Sequence, residues 1–388
     1  MEYCKAVNRA LLSEDASLLC QCFTIHANSH FGGEEMVRSL QQIPEADSLI
    51  PHIEDQRFGR LVSLHVSFLQ NCNRDVKNAL EEQFKFMKQF SFLISSMASP
   101  FYTPFIIQTC RETLHLCKLS VTSHPFFEYE TVSNYSKIIR GILIDISNMD
   151  NPFIGGRNLF ICILNYFITN LFQQLNYKAC EDLYETYPPK IEKELQRCIP
   201  NDISTYCYYR GRLLLYSEKY DEALELLSRS YANCDPQASH NRARILYYLI
   251  PLEMNKGRLP PLSLLREYHF EFYEKVRESL LSGNLQLFIS TVEANRRTIN
   301  QRGICLLISQ IRLRVCARLV LRCALTYGKP IVPYAIMQSG FRLHGIELSD
   351  EELSRMANSL QVSSLIKCYT SLNNRMVVFS KSYFPQSS

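Results

Sequence analysis

The sequence predicts a mainly α protein: a tetratricopeptide-like helical-repeat solenoid that ends in a winged-helix subdomain. Three observations carry this expectation. Apolar residues recur at three- and four-residue steps over most of the chain. Small residues fall at spacings that let paired helices approach closely. The last third runs helix, helix, helix, hairpin, which is the order of a winged helix.

Residues 57–97 carry the helical period without interruption until Pro100 and Pro104, and residues 105–119 read as a further helix. The segments "ASPFYTP", "NMDNPFIGGRN", "ETYPPKIEKE" and "GRLPPLS" punctuate the pattern as loops. In "CYYRGRLLLYSEKYDEALELLSRSYANCDP", Gly211 is followed by Ala223, Leu227 and Ser230, the spacing of an antiparallel repeat pair with "YSEKYD" as its turn. Residues 276–295 repeat the idea around Ser282-Gly283-Asn284. Such pairs cannot bury their apolar faces alone and therefore stack. Residues 302–323 form the next helix, residues 330–345 read as a short amphipathic helix stopped at Gly345, and Ser349 with Glu352 forms a capping box. From Ser363 onward the pattern alternates, turns at Leu372-Asn373-Asn374 and alternates again, the first strand signal in the chain.

Apolar content of 46% with 21% charged residues is that of a globular chain. The net charge of +4 implies no partner by itself, but its distribution does: from Ala294 to Ile346 there is no acid. Such a field attracts polyanions. The 15 cysteines are odd in number and scattered among apolar residues, as expected of free thiols in a reducing compartment. The N-terminus lacks an apolar signal core. The most apolar run, residues 159–172, is broken by Asn165, Thr169 and Asn170 and reads as a buried helix, not a membrane span. A soluble, intracellular protein is expected.

The blocks "YYRGRLLLYSEKYDEALELLSRSYANC", "RARILYYLIPLEMNKGRLPPLSLLREYH", "VRESLLSGNLQLFISTVEANRR" and "RGICLLISQIRLRV" resemble successive blocks of the PCI domain-containing protein 2 family. The resemblance spans about residues 205–325 and extends toward Lys381. The family pattern Tyr-Arg-Asn-Leu falls where this chain has Ala317-Arg318-Leu319, so the arginine is kept and the aromatic is not. The resemblance implies three parts: N-terminal helical repeats (1–200), the helical part of a PCI domain (201–300), and its winged-helix part with a C-terminal tail (301–388). It implies a non-enzymatic subunit of the nuclear transcription-and-export complex, without a cofactor. The implied partners are a larger PCI scaffold of the germinal-centre-associated nuclear protein type, a small acidic split-hand deletion-type protein, and RNA or DNA read without strong sequence specificity. The implied location is the nucleus, docked at pores, with some cytoplasmic presence. The other reading is a protein-only scaffold of the COP9 signalosome or proteasome-lid type.

The residues themselves point to a basic surface made of Arg296, Arg297, Arg302, Arg314, Arg318, Arg322, Lys329 and Arg342, joined by Lys367, Arg375 and Lys381 on the wing. Arg314, Arg318 and Arg322 share one helix face, while Ile311, Val315 and Leu319 point inward. The third helix opens on Ser349-Asp350-Glu351-Glu352, whose acids oppose groove reading of DNA, so contacts are expected from the first helix and the wing. Tyr369 is expected to pack within the hairpin. Cys20, Cys22, His26 and His30 have soft-ligand chemistry, but the Cys-x-Cys gap is too tight and no second ligand pair supports it. Buried thiols and surface histidines at a helix end are the preferred reading there. Cys110, His115 and Cys117 do not form an activated pair on a helix, and no His-Glu-x-x-His, Walker, Gly-x-Ser-x-Gly or Gly-x-Gly-x-x-Gly signature occurs.

Overall fold

A computed structural model describes residues 2–383 apart from 73–75, 95, 98, 124–127, 148–152 and 155–156. The expected loop at 148–158 and the tail beyond residue 383 lie largely or wholly outside the described residues. The chain divides into two compact units, Met1–Tyr209 and Arg210–Ser388.

The first unit is built from α1 (Glu2–Leu12), α2 (Ala16–Phe23), α3 (Gly33–Gln41), α4 (Gln56–Asn71), α5 (Val76–Ile94), α6 (Tyr102–Ser123), α7 (Glu128–Ser147), α8 (Leu159–Gln173), α9 (Tyr177–Thr186), α10 (Pro188–Leu195) and the start of α11 (Pro200–Tyr216). A two-residue hairpin, β1 (Phe153–Ile154) with β2 (Arg157–Asn158), precedes α8. The single helical period read over 57–97 is two helices, α4 and α5, packed on one another. Pro104 does not end a helix. It sits in the first turn of α6, where a missing N–H costs nothing. The helices start on side-chain caps: Asp55 accepts from the Arg57 N–H and Asn158 from the Ile161 N–H. The core is aromatic, with Phe23 against Phe58, Phe86 and Phe105, and Phe90 edge-on to Phe105. Helix α8 is apolar nearly all round and is buried accordingly. Its polar interruptions are mostly bonded internally, Asn170 donating to Ser136 Oγ, Thr169 to the Asn165 carbonyl and Asn165 Nδ2 to the Asp202 carbonyl.

Glu112 on α6 is buried and accepts from both the Thr24 hydroxyl and the Ile25 N–H at 2.9 Å, fastening the end of α2 to α6. Glu112→Ala is expected to cost about 2–4 kcal/mol by orphaning both donors. A denaturant midpoint shift at unchanged slope would verify this.

The second unit continues with α12 (Tyr220–Asn233), α13 (Ser239–Asn255), α14 (Leu262–Glu267), α15 (Glu271–Ser282), α16 (Leu285–Ala294) and α17 (Arg296–Arg302). The expected repeat pair is present. Ala223, Leu227 and Ser230 are fully buried, and a Cβ on Gly211 would lie 2.8 Å from Leu227 Cγ. The α15–α16 turn falls at Gly283, whose φ of 71° is the left-handed conformation that glycine adopts without penalty, and Asn284 caps α16. The winged helix follows as α18 (Cys305–Tyr327), β3 (Ile331–Pro333), α19 (Tyr334–Arg342), α20 (Asp350–Val362), β4 (Cys368–Ser371) and β5 (Met376–Phe379). Its antiparallel sheet has the order β3-β5-β4. The helix read over 330–345 is therefore a strand followed by a shorter helix. Val332 turns inward to a fully buried position, and Pro333 then opens α19.

Candidate nucleic-acid interface

Helix α18 occupies the centre of this unit because one face is apolar throughout. Ile311, Val315, Leu319 and Val320 are buried against α13, α15, α16 and α19, as the period predicts. The three arginines of the neighbouring face are put to different uses. Arg318 Nε donates to the Leu281 carbonyl at 3.3 Å, and Arg322 Nη1 donates to the Ser282 carbonyl. Those carbonyls end α15, where no intrahelical donor remains and the helix dipole is negative. Burial, then the Arg322 charge, holds His344 below its ordinary value. Arg314 is half-buried, finds no acceptor for its Nε among the described residues, and is pulled below the usual arginine range by burial.

The remaining cations are exposed. Arg296 pairs with Glu293 at 3.3 Å, and Arg302 lies 5.2 Å over the Tyr247 ring, a cation–π contact. Arg297, Arg312, Lys329, Arg342, Lys367 and Lys381 are exposed and form no ion pair among the described residues. On the wing, Arg375 is not free: its guanidinium pairs with Asp350 at 2.7 Å. The capping box expected at Ser349 and Glu352 is formed. Two of the three acids at the start of α20 are therefore engaged, and Glu351 alone of them has no partner among the described residues. Tyr369 does not pack within the hairpin. It is 59% exposed and stands on the outer sheet face with Ile331 and Met376. Position decides this: Val332 and Val377 are register partners that point inward, so the residues before and after them along each strand face out.

In the first unit, Cys22 is buried and His26 exposed, but His30 is not a surface residue. It stacks on Tyr3 and meets His65 Nε2 at 3.3 Å. Among the described residues no three His, Cys, Asp or Glu side chains are gathered as metal ligands, and no helix is long and apolar enough to cross a membrane.

Helical repeats running through one long helix into a three-stranded winged helix define a PCI-type protein, a class of scaffold-type subunits. No family model matches the chain. Individual relatives do. The chain is 24% identical over 351 residues to the PCI domain-containing protein 2 homolog of Caenorhabditis elegans, covering 84% of this chain and 82% of that one. It is 27% identical over 192 residues to the Drosophila melanogaster homolog, covering 49% and 48%. It is also 27% identical over 186 residues to the Arabidopsis thaliana enhanced ethylene response protein 5, covering 46% and 45%. The chain thus spans about half the length of two of these curated relatives and most of the third. The chain is thus similar to the PCI domain-containing protein 2 family, whose homologs in animals, Dictyostelium and yeast match it at 22–28% identity.

Proposed function

We propose that this protein is a non-enzymatic scaffold subunit of a transcription-coupled mRNA export complex in the nucleus, docked at pores. Its repeats hold a larger PCI partner of the germinal-centre-associated nuclear protein type and a small acidic split-hand deletion-type protein. Its winged-helix end meets RNA or DNA through phosphates. The observation that carries the nucleic-acid part is the acid-free run 294–346, in which Arg297, Arg312, Lys329 and Arg342 are exposed and unpaired among the described residues. Unpaired surface cations bind phosphate by releasing counterions and choose no sequence. Arg318, Arg322 and Arg375 contribute less to such a surface, because each already has an internal acceptor.

The test is binding of the full chain to labelled single-stranded RNA across a salt series. Affinity is expected to fall steeply with salt, and Arg297→Glu with Arg342→Glu is expected to reduce the log–log slope by about 1.4, at roughly 0.7 per lost phosphate contact. Absence of binding at low salt, with capture of an acidic peptide instead, would sink the RNA reading.

The second reading is a protein-only scaffold of COP9 or proteasome-lid type. It is favoured by the outer sheet face, where Ile331, Tyr369 and Met376 present an apolar surface in place of cations.

A further inference from the structure

Between the end of α13, helix α15, helix α18 and the segment after α20 lies a cavity of about 300 Å³. Its walls are apolar, with Met254, Leu280, Leu321 and Ile366 among them, and Arg314 and Arg318 enter from α18. No acid lines it. Arg318 has the Leu281 carbonyl for its Nε, whereas Arg314 has no acceptor for its own and no ion pair among the described residues. Opposite stands Gly257, where a Cβ would make ordinary contact with Arg314 Nη1 at 3.5 Å.

These features are unbalanced in one direction. A guanidinium carries a fixed positive charge and a planar fork of donors that fits a carboxylate or phosphate. Here the fork is partly withdrawn from water, with nothing among the described residues to accept its Nε hydrogen, at the side of a small, open apolar pocket. An anion supplies the missing acceptor and charge, and a hydrocarbon body fits the walls. Both the volume and the mixture of apolar lining with few polar groups are those of a small-molecule site.

We propose that this cavity binds a small amphiphilic anion, its carboxylate or phosphate head on Arg314 and its short hydrocarbon body against Met254, Leu280, Leu321 and Ile366. This goes beyond the nucleic-acid reading and rests on a different observation, since the surface cations Arg297 and Arg342 take no part. A bound ligand would touch the repeat and the winged helix together and hold them in register.

Calorimetric titration and thermal melting of the full chain with octanoate and with hexyl phosphate test this, and comparing the two shows which head is preferred. Inorganic phosphate and hexanol separate head from body. At least one amphiphile is expected to bind at low-millimolar concentration and raise the melting midpoint, with both controls weaker. Arg314→Met, which keeps an apolar stem, is expected to weaken binding about ten-fold or more. Ala317→Leu, which fills the cavity and leaves the charge, is expected to abolish it and serves if Arg314→Met does not fold. Arg297→Glu, whose expected effect is on RNA, is expected to leave amphiphile binding unchanged. The proposal is overturned if neither amphiphile binds, if Arg314→Met or Ala317→Leu binds as the parent does, or if inorganic phosphate binds as well as hexyl phosphate. It is equally overturned if only a glutamate-rich peptide binds in an Arg314-dependent way, which would make the site a protein dock.

Discussion

Gly283→Val is expected to destabilise the Arg210–Ser388 unit by about 3–5 kcal/mol, from left-handed strain and backbone overpacking together. The residue has φ 71°, and a Cβ there would lie 3.0 Å from the Leu319 nitrogen and 3.1 Å from its Cα. The obstacle is the main chain of α18, which cannot rotate aside. The same contact brings the Leu281 and Ser282 carbonyls to Arg318 and Arg322, so a spread of the two helices breaks those bonds as well. Gly345 is the control, with φ 69° and nothing within 4 Å of its Cβ position. Gly345→Val therefore pays for conformation alone, about 1–3 kcal/mol. Equal losses in the two variants, measured by chemical denaturation, would show that the close approach of α15 to α18 contributes nothing.

Acidification is expected to unfold the Met1–Tyr209 unit earlier than its carboxylates alone require. His30 Nδ1 lies 3.0 Å from the Phe31 carbonyl, which can only accept, so the proton is on Nδ1 and Nε2 is bare. His65 must then donate through its own Nε2 across the 3.3 Å contact. Around the pair stand Tyr3, Phe23, Phe68 and Phe86, and among the described residues no carboxylate pairs with either ring. Burial holds both histidines below their ordinary 6.5, His65 strongly so and with His30 adding to it. The folded state thus binds fewer protons than the unfolded one at mildly acid pH. Stability is full above the ordinary value and falls as pH drops below it, by about 1.4 kcal/mol per pH unit for each histidine that stays neutral in the folded state. The decline ends for each group at its folded pKa. Denaturant midpoints from about pH 7 to about pH 5 should show this slope, and His30→Leu with His65→Leu should flatten it. A level profile in the parent protein would mean that neither ring is held neutral.

The parts legible in the sequence are those whose determinants sit within a few residues of one another. Gly211, Ala223, Leu227 and Ser230 announce a helix pair by spacing, Ser349 and Glu352 announce a cap, and Ile311, Val315 and Leu319 announce the inner face of α18. Missed features depend on partners far along the chain. Strand β3 is three residues long and has its pairing signal in β5, so an apolar run beside a helix pattern was absorbed into the helix. Arg318 and Arg322 end on backbone carbonyls, which every residue possesses and no side chain advertises. The same holds for Arg375 with Asp350 and for His30 with His65. A charge pattern shows where cations are; which of them are already occupied is a property of the fold.

The sheet order β3-β5-β4 also carries a consequence for biosynthesis. The middle strand is the one made last, and Ile331 must wait for Val378 before it has a hydrogen-bonding neighbour. Helix pairs of the repeat close locally as they emerge from the ribosome, since each needs only its sequential neighbour. The winged helix cannot. For the few seconds that separate synthesis of β3 from that of β5, Val332 lacks its pairing partner Val377. In that interval the unpaired edge of β3 is most exposed to wrong pairing.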